Sequence, residues 1–397
     1  MFEQLETLNP DPILGLMALY RQDQNPKKID LGVGVYRDET GATPIMAAVT
    51  EAESIRHQSE TTKAYIGPPG TPEFNSLSQR LMLGNEHPAV SEQRIAGVQT
   101  PGGCGALRVG AELIKRVSPQ TTIWVSDPTW ANHGPLLGNT GLKIHEYSYY
   151  DRATHGLNIQ GMLKTLANVP RGDVVLLHGC CHNPSGVDLK LGDWQQIAKL
   201  ASNNGFIPFV DLAYQGLGNG LEDDTSGIRI LSKECPELII ANSYSKNFGL
   251  YRERVGSLQI ISPSHEESAV VQTQLGSIVR GIYSMPPAHG AAIVEIILAS
   301  DELKQMWEQE LSMMRSRLNT LREGLSKELS EKTNINFSFI HEQKGMFSFL
   351  GISAEQIDAL KNEYSIYMVD SSRINIAGIN DSNRQYFVES MQEVLCS

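Results

Sequence analysis

One lysine of this chain stands where a nucleophilic amine could form. The apolar run Leu238–Ala241, bounded by Asn242, has the length and composition typical of a short buried strand. Lys246 follows it closely, and Arg254 comes shortly afterwards. Loss of solvation near a strand end and nearby positive charge both favour the neutral amine, which can attack a carbonyl carbon. The same position also suits an ordinary solvated surface lysine, so the surrounding residues decide between the two interpretations.

Further polar groups follow two other apolar runs upstream. Phe206–Val210 is followed directly by Asp211, with Tyr214 three residues later, and the run Asp173–Gly179 leads to Asn183. In a parallel sheet the carboxyl ends of the strands meet at one edge, where α/β proteins bind their ligands. We therefore expect an acid, a phenol, an amide and the lysine amine to lie close together.

The motifs that carry these residues resemble those of a known family. The stretches SYSKNFGLYRERVG, HNPSG and DLAYQG, with this spacing, are similar to the class I aminotransferases of fold type I, particularly the bacterial aspartate and aromatic amino-acid aminotransferases. The resemblance extends from DPILGL near the N-terminus to SSRINIAG near the C-terminus. It implies an α/β fold with a large domain, in which helices cover a mostly parallel sheet, and a smaller α+β domain.

The resemblance also implies pyridoxal 5′-phosphate as the cofactor and gives the polar residues their roles. Lys246 would hold the aldehyde of the cofactor and then carry a proton between cofactor and substrate. Asp211 would keep the pyridine nitrogen protonated. Asn183 and Tyr214 would hydrogen-bond the phenolic oxygen of the ring. The catalytic residues implied are Lys246, Asp211 and Tyr214.

A glycine cluster at residues 102–105 opens a helical pattern and suits the cofactor phosphate, because backbone amides at a helix start bind anions. Arg254 offers a bidentate fork to an oxyanion. By resemblance, Tyr65 would reach the phosphate from a neighbouring subunit. The full set of implied cofactor-binding residues is Gly103, Cys104, Trp130, Asn183, Asp211, Tyr214, Ser243, Lys246, Arg254 and Tyr65.

Two arginines match the family positions that bind carboxylates. Arg373, in SSRINIAG, would bind the α-carboxylate of the substrate. Arg280, in VRGIYS, would reach the side-chain carboxylate from the neighbouring subunit. With Tyr65, this implies a homodimer with shared active sites. The substrate-binding residues implied are Gly34, Trp130, Asn183, Arg280 and Arg373.

The reaction implied is a ping-pong transfer of the amino group from L-aspartate to 2-oxoglutarate, so amino acids and 2-oxo acids are the expected partners. Three positions depart from the aspartate-specific pattern: Cys104 replaces a Thr or Ser, Met285 an Asn or Ser, and Ala64 an Asn. These departures leave aromatic amino-acid transamination open. The same cofactor could also support a lyase chemistry, β-elimination or decarboxylation.

Two interpretations outside this family are also compatible with parts of the sequence. A dinucleotide-dependent dehydrogenase is disfavoured, because Arg108 occupies the third glycine position after Gly103 and Gly105. A non-enzymatic scaffold with a decayed site is the other alternative, and it predicts a protein that does not absorb visible light.

Composition narrows the function classes further. The 397 residues carry a net charge of −12 and no basic run, which argues against a nucleic-acid partner. The five cysteines have neither metal-site nor disulfide spacing, so we expect no metal. The first residues lack the pattern of a signal peptide, and no apolar run reaches membrane length. The sequence therefore predicts a cytoplasmic protein with no membrane partner.

Helix and strand patterns suggest how the chain is divided. Residues 1–44 are expected to form an N-terminal arm and part of the small domain, 45–312 the large cofactor-binding domain, and 313–397 the small domain. The charged amphipathic stretch 301–331 predicts a helix that links the two domains.

Three finer expectations concern the backbone. Asp11 is expected to cap a first helix that begins at Pro12. Residues 31–41 look strand-like and then turn-like. By resemblance, the peptide bonds Asp127–Pro128 and Asn183–Pro184 should be cis, which is uncommon even before proline.

Overall fold

The computed structural model describes residues 1–7 and 12–396. Asp11, predicted to cap the first helix, lies outside the described residues. The helices within the described ranges are α1 Pro12–Gln22, α2 Ala47–Ser59, α3 Pro72–Leu83, α4 Pro88–Ser91, α5 Gly102–Val117, α6 His133–Gly138, α7 Ile159–Leu166, α8 Leu191–Asn204, α9 Ser226–Glu234, α10 His265–Ile282, α11 Ala288–Ala299, α12 Asp301–Thr333, α13 Phe339–Glu342, α14 Ala354–Tyr364 and α15 Arg384–Cys396. The strands are β1 Ile29–Asp30, β2 Ile95–Pro101, β3 Thr122–Asp127, β4 Lys143–Ser148, β5 Tyr150–Asp151, β6 Gly156–Leu157, β7 Val174–His178, β8 Ile207–Leu212, β9 Leu238–Ser243, β10 Val255–Ile261, β11 Phe347–Phe349, β12 Ile366–Tyr367 and β13 Arg373–Asn375.

A seven-stranded sheet with the order β2-β10-β9-β8-β7-β3-β4 forms the centre of the molecule. Strand β10 runs antiparallel to both of its neighbours, and the remaining pairs are parallel. The central strands are apolar on both faces: Val175 and Leu177 pack into one core cluster, whereas Leu176 and Phe209 pack into a second. Helices therefore cover both sides of a mostly parallel sheet. This confirms the predicted α/β fold class.

Strand register brings the ends of three strands to one edge. His178, the last residue of β7, pairs with Asp211 on β8, and Asp211 pairs with Ala241 on β9. The peptide bonds Asp127–Pro128 and Asn183–Pro184, which follow β3 and β7, are both cis, as predicted. The loops after these strands consequently share the carboxyl edge of the sheet.

Helix α12 contains 33 residues and is capped by Ser300, whose hydroxyl accepts a hydrogen bond from the amide of Leu303. Near its start, the Trp307 indole donates to the Asn247 carbonyl at 2.7 Å and stacks on Phe248 at 4.3 Å between ring centroids. These contacts fix the loop that follows Lys246.

Further along α12, the guanidinium of Arg322 is buried with 1% exposure, and burial lowers its pKa to about 10. It holds the segment before and within β11 by donating hydrogen bonds to the carbonyls of Ile340, Lys344, Gly345 and Phe347 and to the hydroxyl of Ser348. One helix thus supports two separate loops.

Residues 31–41 differ from the strand-like expectation, because only β1 pairs in this region, with β12 at Ile29 and Asp30. Gly32 and Gly34 pack instead against the side chains of Leu16 and Phe347, where an added Cβ would lie 2.3 and 2.8 Å from the nearest atoms. Between Gly32 and Tyr36, side chains and not a neighbouring strand bind most of the backbone N–H and C=O groups.

The pairing of β1 with β12 joins the N-terminal residues to the C-terminal elements. The boundary expected between residues 312 and 313 lies within the uninterrupted helix α12, so the division into domains stays a prediction. Among the helices of the described ranges, none has the length and apolar character needed to cross a bilayer.

Candidate functional site

A cavity of about 260 Å³ lies at the carboxyl edge of the central sheet. A larger cleft, of about 840 Å³, lies between α3 and α12, but partly solvent-facing side chains of both charge signs line it, such as Lys304 and Glu308. We therefore take the smaller cavity as the candidate site. The predicted residues that line it are Gly34, Gly103, Cys104, Trp130, Asn183, Asp211, Tyr214, Ser243, Lys246, Arg254 and Arg373.

Two predicted site residues lie elsewhere on this chain. The side chain of Tyr65 is 91% exposed, on a segment without regular structure. Arg280 is also exposed, in the last turn of α10, and donates a short hydrogen bond to Ser284. Both were expected to serve a neighbouring subunit, and their roles stay predictions.

Asp211 is buried at the end of β8 and is held by a chain of hydrogen bonds. Its Oδ2 is 3.1 Å from Nε2 of His133, and the Thr129 hydroxyl lies 2.8 Å from the other ring nitrogen and 3.2 Å from Nε2 of His178. Burial works to raise the pKa of the Asp211 carboxyl, but the hydrogen bond from His133 and the charge of Lys246 outweigh it, and the net pKa is lowered. The carboxylate is therefore ionised and faces the cavity.

His178 begins this series of hydrogen bonds, and its ring is buried beside that of His133. Burial lowers the pKa of His178 to about 3, so its ring is neutral. A neutral His178 can donate to Thr129, and Thr129 can then donate to His133, which donates to Asp211. All three hydrogen bonds then have their donors directed toward Asp211, and they orient its carboxylate without neutralising it.

The amine of Lys246 lies 5.0 Å from the ring centroid of Tyr214. Loss of solvation lowers the pKa of this amine, while Asp211 works in the opposite direction. Burial raises the pKa of the Tyr214 phenol well above its usual value, so the hydroxyl keeps its proton. The pair supplies an amine with a reduced proton affinity beside a neutral hydrogen-bond donor.

The start of α5 forms a cradle with two hydroxyls and a guanidinium. A Cβ on Gly102 would lie 2.5 Å from Arg254 Nη2, and one on Gly103 would lie 3.1 Å from Ser243 Cβ. Ser243 donates to Ser245 at 3.2 Å, and Arg254 donates to Ser245 at 3.4 Å. Helix amides, hydroxyls and a guanidinium form a donor set that fits a phosphate group.

Two other lining residues modify this arrangement. Burial raises the pKa of the Cys104 thiol in the first turn of α5, so it stays protonated and is a weak donor. The half-buried Trp130 ring meets His133 edge-on at 5.4 Å and presents a flat apolar surface to the cavity. A planar ring ligand could stack on that surface.

Arg373, at the start of β13, is 5% exposed. Its guanidinium donates to Asn183 Oδ1 at 3.3 Å and to the Gly32 carbonyl at 2.6 Å, and it lies 4.3 Å from the ring centroid of Phe347. Its Nε has no hydrogen-bond partner, and within the described ranges no carboxylate pairs with it. A buried guanidinium without an anion is costly, so this site suits a carboxylate ligand.

The loop that carries Asn183 is fixed by a half-buried carboxylate. Asp188 accepts hydrogen bonds from the backbone amides of Cys181 and His182 at 2.7 and 2.8 Å. Burial raises its pKa to about 6. This loop also meets the Phe347 segment, because the amide of Lys344 donates to the Gly186 carbonyl at 2.7 Å.

Sequence reasoning missed four polar or aromatic residues that line the cavity: His178, Ser245, Tyr251 and Phe347. His178 could have been found by the rule that identified Asp211, because it also ends an apolar run. Tyr251 and Ser245 lie within the SYSKNFGLY stretch, where their roles depend on loop geometry that spacing does not give. Phe347 reaches the cavity only through the distant β11.

Nearly the whole chain is similar to proteins of one known family. A family model described as aminotransferase class I and II matches residues 26–391. The aspartate aminotransferase of Escherichia coli is 44% identical over 396 residues, covering 100% of both chains. The aromatic-amino-acid aminotransferase of Paracoccus denitrificans is 44% identical over 395 residues, covering 99% of this chain and 100% of the relative.

The architecture is likewise similar to a solved structure. A crystal structure of the aromatic-amino-acid aminotransferase from Burkholderia pseudomallei, covalently bound to pyridoxal phosphate, superposes with a TM-score of 0.98 at 39% identity. The match covers 100% of this chain and 99% of that one.

Proposed function

Because the chain belongs to the class I and II aminotransferases, we propose that it transfers the amino group of L-aspartate to 2-oxoglutarate in two half-reactions. The enzyme is a transaminase that depends on pyridoxal 5′-phosphate. When bound, this cofactor supplies an aldehyde that captures amino groups and a ring that accepts electrons.

The observation that carries the proposal is that one cavity holds both the Lys246 amine and the Arg373 guanidinium, which lacks an anionic partner among the described residues. An α-amino acid carries a carboxylate and an amine on the same carbon atom. Arg373 would bind the carboxylate, which places the α-carbon toward Lys246. This arrangement suits proton movement at the α-carbon and fixes the orientation of the substrate.

The other side chains would divide the remaining work. Arg254, Ser243 and the start of α5 would hold the phosphate, and Asp211 would stabilise positive charge on the ring nitrogen. Asn183 and Tyr214 would donate to the ring oxygen. Lys246 would capture the aldehyde and, once released, move a proton between the substrate α-carbon and the cofactor.

The reaction type has a direct test. Purified protein, aspartate and 2-oxoglutarate should yield oxaloacetate and glutamate in equal amounts. Alanine, or free ammonia without oxaloacetate, would instead assign decarboxylation or elimination. A protein that shows no visible absorbance after incubation with pyridoxal phosphate and removal of the free cofactor would support the scaffold alternative.

A two-fold dimer with shared active sites is also part of the proposal, and a cytoplasmic location is expected from the sequence. The exposure of Tyr65 and Arg280 supports the dimer, since neither lines the cavity of its own chain.

Mixed dimers provide the test of shared sites. Lys246→Ala and Arg280→Ala subunits, each poorly active with aspartate alone, should regain activity when unfolded together and refolded. One site of each mixed dimer then combines an intact lysine with an intact Arg280 from the other subunit. Activity that never exceeds the sum of the two separate variants would show that each site uses residues of one chain only.

Aromatic amino acids are a second candidate substrate class. Met285, which is half-buried near the end of α10, is an apolar side chain that adapts to irregular partners. Ala64, beside the exposed Tyr65, leaves room where an amide is usual. The relatives named as aspartate and as aromatic-amino-acid aminotransferases both reach 44% identity, so the overall likeness does not separate these substrates.

Arg280→Ala should separate the two substrate classes. A desolvated ion pair that loses one partner costs about 3–5 kcal/mol, so kcat/KM for aspartate should fall by about two to four decades. Phenylalanine, which has no second carboxylate, should change by no more than about threefold. The measurement is kcat/KM for both amino acids in both proteins.

Arg116→Ala is a matched control, because this arginine is also exposed and donates hydrogen bonds to two side chains of α10, Gln274 and Ser277. Its two kcat/KM values should stay close to those of the wild type. Equal losses of kcat/KM for aspartate and phenylalanine in Arg280→Ala would contradict the proposal that Arg280 binds the side-chain carboxylate of the substrate.

A further inference from the structure

The segment 32–36 contributes Gly34 to the lining of the cavity and is bound by side chains of β13. Arg373 donates to the Gly32 carbonyl at 2.6 Å. Asn375 donates from its amide nitrogen to the carbonyls of Val33 and Val35 at 2.6 and 2.8 Å. No strand pairs with this segment, so these side chains determine where its backbone lies.

A phenol binds the amide at the Tyr36 end of this segment, where the Tyr36 carbonyl also accepts a hydrogen bond from the Thr43 hydroxyl at 3.1 Å. The amide of Tyr36 donates to Tyr251 Oη at 2.8 Å. Tyr251 also lines the cavity and belongs to the turn that follows Lys246. In the same turn, the backbone carbonyl of Tyr251 accepts a hydrogen bond from Arg254 Nη1 at 2.9 Å.

Tyr251 therefore contacts both halves of the site. Its carbonyl is bound to the arginine of the phosphate cradle, and its hydroxyl is bound to the segment whose Gly32 carbonyl orients Arg373. We propose that Tyr251 is a positioning residue that couples the phosphate cradle to the carboxylate-binding arginine and so sets the spacing of the two anion sites. This inference rests on the proposed function, because it takes Arg373 as the receptor of the substrate carboxylate.

The coupling has a simple physical basis. A phosphate on Arg254 fixes the guanidinium, and through it the Tyr251 carbonyl and the whole turn. The phenol then holds the Tyr36 amide, so the segment 32–36 is already in place when a carboxylate arrives. Without the hydroxyl, the partly buried Tyr36 amide loses its hydrogen-bond acceptor, and the segment 32–36 is less ordered before a carboxylate binds. Part of the free energy of carboxylate binding is then used to order the segment, so the affinity falls.

Tyr251→Phe removes this hydroxyl and keeps the ring. In the holoenzyme, the Kd of succinate, a dicarboxylate that carries no amino group, should rise about tenfold by calorimetry, the effect of losing roughly one hydrogen bond. KM for aspartate should rise by a similar factor, with kcat within about twofold, because the interaction is made equally before and during reaction.

A second measurement tests the coupling itself. Enzyme loaded with pyridoxal, which lacks the phosphate, should bind succinate more weakly than enzyme loaded with pyridoxal phosphate. In Tyr251→Phe this difference should shrink to less than about twofold, because the connection between the two sites is gone. A loss of general stability would lower succinate affinity without removing the dependence on the phosphate.

Tyr386→Phe is the control, because this half-buried tyrosine also makes a 2.8 Å hydrogen bond through its hydroxyl, to the Tyr364 carbonyl, and does not line the cavity. Its succinate Kd should equal that of the wild type. Equal succinate Kd values for wild type and Tyr251→Phe, or an unchanged phosphate dependence in the variant, would overturn the role of Tyr251 alone. A wild-type holoenzyme that neither binds succinate nor converts aspartate would overturn the proposed function and this inference with it.

Discussion

Lys246→Ala is expected to abolish measurable turnover of aspartate while leaving the protein folded. The variant loses the group that moves the proton, which typically costs about two to four decades of rate, and the loss of the covalent anchor adds to this. Folding should survive, because Trp307 and Phe248 hold the adjoining loop without using the lysine side chain. The measurement is steady-state turnover, with circular dichroism and thermal unfolding to establish the folded state.

Lys246→Arg separates nucleophilicity from charge. Arginine keeps a positive charge beside Asp211, but its guanidinium stays protonated and is a poor nucleophile near neutral pH. It should therefore be as inactive as the alanine variant. Turnover of either variant within about tenfold of the wild type would show that another group moves the proton.

Asp211→Ala is expected to slow the half-reaction with aspartate by about two to four decades. Asp211 is the acidic side chain among the described residues that line the cavity, and its ionised state is maintained by His133. Removing one partner of a buried charge pair costs about 3–5 kcal/mol, which corresponds to that loss of rate. A single-turnover measurement isolates this step from product release.

Asp211→Asn distinguishes charge from shape. The amide oxygen can still accept the hydrogen bond from His133, so the side chain should keep its orientation, but it carries no charge. We expect a loss of rate close to that of the alanine variant. A half-reaction rate in Asp211→Asn within about threefold of the wild type would mean that orientation, and not charge, is what Asp211 contributes.

The residues at the carboxyl edge of the sheet were predictable because short-range rules locate them. Asp211 and Asn183 follow apolar runs, the runs form parallel strands, and parallel strands bring their ends together. The family resemblance then added Arg373 and Arg254, which lie far apart in the sequence. The structure brings all four around one cavity.

Other features depend on tertiary contacts that spacing does not encode. Residues 32–36 have the composition of a strand, yet no strand pairs with them, and side chains such as those of Tyr251 and Asn375 bind their backbone instead. Arg322 looks like any other charge on an amphipathic helix, but it is buried and holds five different residues. Where side chains take the place of strand pairing, the sequence contains no periodic pattern of residues from which these contacts could be predicted.

The continuity of α12 has a mechanical consequence. Trp307 supports the Lys246 loop and Arg322 supports the Phe347 segment, and these two points on one helix are about 22 Å apart. Because the backbone hydrogen bonds of a continuous helix resist stretching along its axis, the distance between the two supports is fixed, and the spacing of the amine and the carboxylate-binding arginine does not increase to suit a longer substrate. A change in the substrate that is accepted must then come from the edge of the cavity that the proposed second subunit supplies. Arg280 and Met285 belong to that edge, and they can be exchanged during evolution without disturbing α12 and the two loops that it supports.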